Sequence, residues 1–222
     1  MSLEQTRDVL ERLLRQGAAT ARSDGTRHEL FPVAISAAEG KALRGWVQHE
    51  GASRTVEVGL GYGISALHIC AGLLANGKAD ARHVAIDPNQ STRFADLAIQ
   101  FLDEAGLSDL VELHREESQI VLPRLVSEGR SFDLAFVDGN HRFDGVFLDL
   151  VCLGRLVRPG GVVFVDDFDL PAVARAVSFC VTNLGWTLEE TGDDEAHHWA
   201  VLRTSRLPDM RDYDHFVEFS AS

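Results

Sequence analysis

The segment Thr55-Val56-Glu57-Val58-Gly59-Leu60-Gly61-Tyr62-Gly63-Ile64-Ser65 decides the fold. A short β-branched run breaks into three glycines and then opens a helical pattern, which reads as a buried strand, a tight turn and the start of a helix. Glycines there let the chain turn sharply and let its backbone approach a ligand where a Cβ would collide. The dinucleotide fingerprint G-x-G-x-x-G needs a small residue at position 64, and Ile64 stands there instead. A nicotinamide-binding domain is therefore disfavoured. The spacing is G-x-G-x-G, with Glu57 two residues upstream.

Outward from this turn, strand-like runs recur at His83 to Asp87, Val111 to His114, Leu134 to Val137 and Val162 to Val165. Helical patterns separate them at about Ile64 to Leu74, Thr92 to Ala105, Gln119 to Val126 and Gly145 to Val157. Such alternation predicts right-handed βαβ units and a parallel sheet. A last helix, Pro171 to Leu184, precedes two strands, Thr187 to Glu190 and Trp199 to Arg203, joined across the acidic turn Gly192-Asp193-Asp194-Glu195. So short a connection permits antiparallel pairing only. The expected architecture is α/β: a doubly wound, mostly parallel seven-stranded sheet that closes in an antiparallel hairpin.

Ahead of the sheet, helices are expected at Leu3 to Arg15 and Ala37 to His49, the second opening on the capping-box spacing Ser36-Ala37-Ala38-Glu39. Between them, Gly17 to Phe31 is polar and rich in Gly, Ser and Thr, and reads as a surface loop or a substrate lid. The organisation expected is a helical extension over 1–50, a core over 51–204 and a tail over 205–222. Tyr213, Phe216 and Phe219 in that tail could shape a substrate pocket or a homodimer contact.

Composition narrows the partners. The 222 residues are 45 % hydrophobic and 25 % charged, which excludes a disordered or collagen-like chain. A net charge of −13 with no basic cluster argues against nucleic acid and anionic membrane surfaces and favours a small-molecule substrate. No apolar stretch is long enough to span a bilayer, and the N-terminus carries no signal pattern, so a cytoplasmic location is expected. Cys70, Cys152 and Cys180 have no metal or redox spacing and read as buried reduced thiols. His197-His198, beside an acidic turn, reads as a solvated hairpin rather than a metal pair, and Trp46, Trp186 and Trp199 read as core.

The glycine turn resembles motif I of the class I S-adenosylmethionine-dependent methyltransferases. The resemblance implies that Gly59, Gly61 and Gly63 pass under the amino-acid part of the cofactor and that Glu57 partners it directly or through water. Asp87, ending the next strand, becomes the ribose partner, although an Asp opening the turn before Pro88 has a structural reading too. Glu117 and Ser118 take the acid and small positions of the segment that meets the adenine; the usual glycine before them is Glu116.

Two more strand ends are acidic: Val137-Asp138-Gly139-Asn140-His141 and Val165-Asp166-Asp167-Phe168. Neighbouring strands lie about 4.8 Å apart, so three carboxylates face one crevice, where a cation would offset their repulsion; all-oxygen ligation suits Mg2+. The segment Asp138-Gly139-Asn140-His141, with Asp166-Asp167, resembles the small-molecule O-methyltransferases of the macrolide sugar type and, more distantly, the catechol type. That resemblance covers roughly Ala37 to Arg203. It implies a class I methyltransferase fold and transfer of methyl to a hydroxyl, with Asp138, Asp166 and Asp167 as metal ligands, Asp138 also beside the cofactor, and His141 as the base. Competing readings are metal-independent transfer to oxygen or nitrogen with His141 as sole base, and a cofactor-binding module without catalysis; Asp167 could also cap the following helix.

Overall fold

The computed structural model of the protein describes residues 2–194 and 197–219. In chain order the elements are α1 (Leu3–Gln16), β1 (Ala18–Thr20), β2 (Arg27–Glu29), α2 (Ala37–His49), β3 (Arg54–Val58), α3 (Ile64–Asn76), β4 (Arg82–Ile86), α4 (Leu97–Glu104), β5 (Val111–His114), α5 (Ser118–Ser127), β6 (Phe132–Val137), α6 (Phe143–Leu156), β7 (Val157–Val165), α7 (Pro171–Leu184), β8 (Thr187–Asp193) and β9 (His198–Arg203). The main sheet has seven strands in the order β5-β4-β3-β6-β7-β9-β8. Strands β3 to β7 pair in parallel, and β9 pairs antiparallel with both β7 and β8.

Alternation along the strands builds a core on each face of the sheet. Leu134 and Phe136 of β6 join Leu43, Leu67 and Phe101 on the side of α1 to α4. Ala135 and Val137 of the same strand join Val121, Leu150 and Val173 on the side of α5 to α7. The N-terminal helices are outside the sheet as expected, layered on α3.

Several expectations change. The helix expected from Thr92 begins at Leu97, because Ala95 and Asp96 take left-handed backbone angles of φ 49° and 58° and break the pattern. Gly17 to Phe31 is a short hairpin, β1 against β2, rather than a loose loop; Ala21 and Leu30 are buried and the Arg22 amide donates to Gln100 Oε1 of α4 at 2.9 Å. The strand β8 extends to Asp193, so part of the expected acidic turn is sheet; Asp194 follows it, and Glu195 lies outside the described residues. Trp186 and Trp199 are core, whereas Trp46 is only half-buried, its indole N–H donating to Glu190 Oε2 at 3.1 Å. Cys70 and Cys180 are buried and Cys152 half-buried, all three free. In the tail, Val217 exchanges two backbone hydrogen bonds with the Asn183 side chain and Phe219 packs on Phe179, but Tyr213 is fully exposed.

The chain leaves β3 toward β4 and β5 and returns to β6 on the opposite side of β3. Ligand crevices in open α/β sheets open at such a switch point, outside the carboxyl ends of the strands. Gly59 and Asp138 are the first residues past those ends, and the Asp138 amide donates to the Val58 carbonyl at 2.9 Å.

Candidate active site

A cavity of about 630 Å3 sits at this switch point. One end of it is lined by Gly59, Gly61, Asp87, Glu117 and Ser118, the other by Asp138, His141, Asp166, Asp167 and His197, with Pro32 and Val33 contributed by the N-terminal extension.

At the first end, Asp87 is buried and both of its oxygens are engaged in the turn. Its Oδ2 accepts from the Gly61 amide at 2.8 Å and from Gln90 Nε2 at 2.9 Å, and its Oδ1 accepts from the Asn89 amide at 2.7 Å. Thus the turn-opening role before Pro88 is present, and the residue lines the cavity as well. Glu57 is placed differently from the cofactor contact expected of it. Fully buried, it accepts from Ser65 Oγ at 2.8 Å and from His83 Nε2 at 2.9 Å, behind the turn and away from the cavity wall. His83 Nδ1 in turn accepts from Thr55 Oγ1 at 2.9 Å, completing a chain that ties β3, β4 and α3 together. Gly63 is the N-cap of α3 and is likewise absent from the wall; Glu117, the N-cap of α5, and Ser118 are on it.

At the other end the three aspartates divide between two clusters. In the outer one, His141 bridges Asp138 Oδ1 (3.2 Å from Nε2) and Asp167 Oδ2 (3.0 Å from Nδ1). Carboxylates only accept, so both ring nitrogens donate and the imidazole is cationic. The two acids push His141 up to about 10, and His141 holds Asp167 below the usual carboxylate range. Burial, with the charges of Asp166 and Asp167, pushes Asp138 up to about 7 against the pull of His141. The near-neutral imidazole that base catalysis wants is therefore not the state of His141 in this arrangement. Asp167 does not cap a helix: α7 starts at Pro171, and Asp167 has a left-handed φ of 54°, its amide donating to Asp166 Oδ1 at 2.7 Å.

The inner cluster joins Asp166 to Glu39 and His197, two residues outside the expected site. Glu39 is fully buried; desolvation first, then the charges of Asp166 and Asp138, push its carboxyl up to about 10. His197 is buried beside Asp166, which raises its pKa, so the solvated-hairpin reading fails for it while holding for the exposed His198.

The comparisons with known proteins agree with this geometry. A model of a methyltransferase-domain family matches residues 56–168, from the glycine strand to the second acidic strand end. The chain belongs to that family. Among curated proteins, this methyltransferase domain is 31 % identical over 153 residues to a catechol O-methyltransferase of Mycobacterium tuberculosis, covering 68 % of this chain and 63 % of that one. It is 32 % identical over 133 residues to tricin synthase 2 of rice, covering 58 % and 42 %. The chain thus spans about half the length of the curated relatives it matches. Among solved structures, the O-methyltransferase TomG of Streptomyces achromogenes, in complex with SAM, superposes with a TM-score of 0.66 at 26 % identity over 91 % of this chain and 90 % of that one. A Bacillus cereus O-methyltransferase in complex with SAH gives 0.69 at 19 % identity over 91 % and 90 %, a likeness of fold. The class I methyltransferase architecture expected from the glycine turn is the one observed.

Proposed function

We propose that this domain transfers the methyl group of S-adenosylmethionine to a hydroxyl oxygen of a small metabolite, with help from a divalent cation. The observation that carries the reading is the single cavity whose two ends differ in chemistry: a glycine turn with Asp87, Glu117 and Ser118 at one, and an Asp-His-Asp cluster at the other. The relatives, named for O-methyl transfer to catechol and to caffeoyl-CoA, support it. Gly59 and Gly61 would pass under the amino-acid part of the cofactor, with Asp87 near the ribose and Glu117 and Ser118 near the adenine. Gly63 and Glu57 act from behind, the first opening α3 and the second fixing the turn.

The residues at the acidic end fit a hard cation, because three carboxylates share that end, and burial together with the charges of Asp166 and Asp167 pushes Asp138 up to about 7. Asp138, Asp166 and Asp167 would hold Mg2+, which when bound lowers the pKa of a hydroxyl and fixes its direction. His141 stands at the cavity wall with both nitrogens engaged by acids. Release of either carboxylate frees a ring nitrogen and lowers the imidazole pKa toward the range where it takes a hydroxyl proton. Positioning of the oxygen in line with the sulfonium supplies much of the rest of the rate.

The test is transfer of a labelled methyl group from S-adenosylmethionine to a panel of catechols and hydroxylated aromatics, before and after chelation. Transfer that falls at least tenfold on chelation and returns with Mg2+ is the expected result. Undiminished transfer after chelation would leave His141 as sole base, acting once one of its two acid partners has released a ring nitrogen. Cofactor binding with no transfer to any acceptor would make the domain a non-catalytic binding module.

A further inference from the structure

The inner cluster is built like a metal site. Glu39, on the first turn of α2, is fully buried and neither of its oxygens has a hydrogen-bond partner. His197 Nδ1 is buried without one too. It stands 3.5 Å from Glu39 Oε2 and 3.6 Å from Asp166 Oδ2, and the three donor atoms all lie within 4.8 Å of one another. The two distances to His197 Nδ1 exceed good hydrogen-bond lengths. They match what one ion imposes, because ligand atoms about 2.0–2.2 Å from a tetrahedral centre sit roughly 3.3–3.6 Å apart.

The cluster is also held in place. The Ser36 hydroxyl caps α2 by accepting from the Glu39 amide at 3.1 Å and donates to Asp194 Oδ2, while Asp194 Oδ1 accepts from the His197 amide at 2.9 Å. One aspartate therefore fixes the two elements that carry Glu39 and His197. Asp166 Oδ1 is engaged by the Asp167 amide, which leaves Oδ2 to face the cluster. Asp166 and His197 line the cavity and Glu39 lies behind them, so an ion can enter from the cavity and keep an open position toward it.

We propose that Glu39, Asp166 and His197 form a three-ligand site for a divalent transition-metal ion of the zinc type. One imidazole nitrogen with two carboxylate oxygens suits such an ion better than Mg2+. The set shares only Asp166 with the all-oxygen set above and does not depend on the methyl-transfer reading.

The test is a titration of Co2+ alone, followed by visible absorption, into metal-stripped full-length protein, with Zn2+ as competitor and excess Mg2+ present. One Co2+ per chain, displaced by Zn2+, is expected. Glu39→Gln and His197→Gln should each weaken it about 100-fold, and His141→Asn should leave it within threefold. Absence of saturable binding overturns the proposal, as does binding lost in His141→Asn but unchanged in His197→Gln, which would place the ion in the outer cluster. Should either inner variant fail to fold, pulsed EPR of Mn2+ bound to His141→Asn decides. Persisting nitrogen coupling supports His197 as a ligand, and its disappearance overturns it. Binding of S-adenosylhomocysteine, measured in parallel, separates failure of this site from failure of the cofactor reading.

Discussion

A Cβ on Gly59 would lie 1.8 Å from the Asp138 carbonyl oxygen. The first glycine of the turn is thus required by the neighbouring strand, whose backbone crosses directly over it at the switch point, as well as by any ligand. Gly61 is the opposite case, with a φ of 50° but no atom within 4 Å of a Cβ built there.

Gly59→Ala should therefore cost about 2–4 kcal/mol, combining a left-handed φ of 91° with an overlap that only backbone movement relieves. In a domain of this size that is a fall in Tm of roughly 5–15 °C. Gly61→Ala should cost only about 1–2 kcal/mol, the penalty of the left-handed conformation. Thermal denaturation of the two variants checks the ranking. Equal losses would mean that the clash at Gly59 is absorbed by the Asp138 segment.

Glu57 separates a supporting role from a direct cofactor contact. Glu57→Ala strands the Ser65 hydroxyl and the His83 N–H in a dry core and should cost about 2–5 kcal/mol. Glu57→Gln keeps an acceptor for His83, and the Ser65 hydroxyl can rotate to accept from the amide, so its Tm should fall far less. If Glu57 acts only from behind the turn, calorimetric affinity of the Gln variant for S-adenosylhomocysteine stays within threefold. A loss of 100-fold at unchanged Tm would make it a direct partner.

The strand and helix pattern was legible because four of the five parallel strands are short apolar runs ending in an acid or a glycine, as in Val56 to Gly59 and Val162 to Asp166. The site was legible where chemistry and sequence neighbourhood coincide, as in Asp138 with His141. It was hidden where one residue has two explanations. Glu39 fits a capping box, and the structure does show the Ser36 half of it, so nothing local reveals that its carboxylate leaves the helix end for a cluster shared with β7. His197 sits in a polar turn whose burial depends on α2, an element far away in sequence. The early start expected for α4 failed for a different reason: Ala95 and Asp96 both take left-handed angles, and although Asp adopts them more readily than most residues, Ala gives no local sign of one.

Asp87→Asn should unsettle the turn and the cofactor end together. Three donors converge on its two oxygens, and an amide can accept on only one. A donor facing the Gly61 amide or the Asn89 amide costs about 1–3 kcal/mol. Affinity for S-adenosylhomocysteine should fall at least about tenfold, read by calorimetry, with a lower Tm. An unchanged affinity would show that Asp87 serves the turn alone and that the ribose is held elsewhere.

The outer cluster fixes a pH signature for the metal-stripped protein. His141 is raised from its ordinary 6.5 to about 10 by Asp138 and Asp167, so its contribution to stability is full below about pH 6.5 and fades as pH rises toward 10. Asp167 is lowered by His141, so its share is present above its ordinary value and is lost only as pH falls through the depressed one. Asp138, raised to about 7, is largely protonated at the acid end and leaves Asp167 as the charged partner there, so the Tm difference between wild type and His141→Asn should be widest near pH 6.5 and close steadily as pH rises from it. Because the imidazole is partly exposed, screening keeps the difference on the order of 1 kcal/mol. A difference that is flat from pH 5 to 9.5 would mean that His141 is not held as a cation between the two acids.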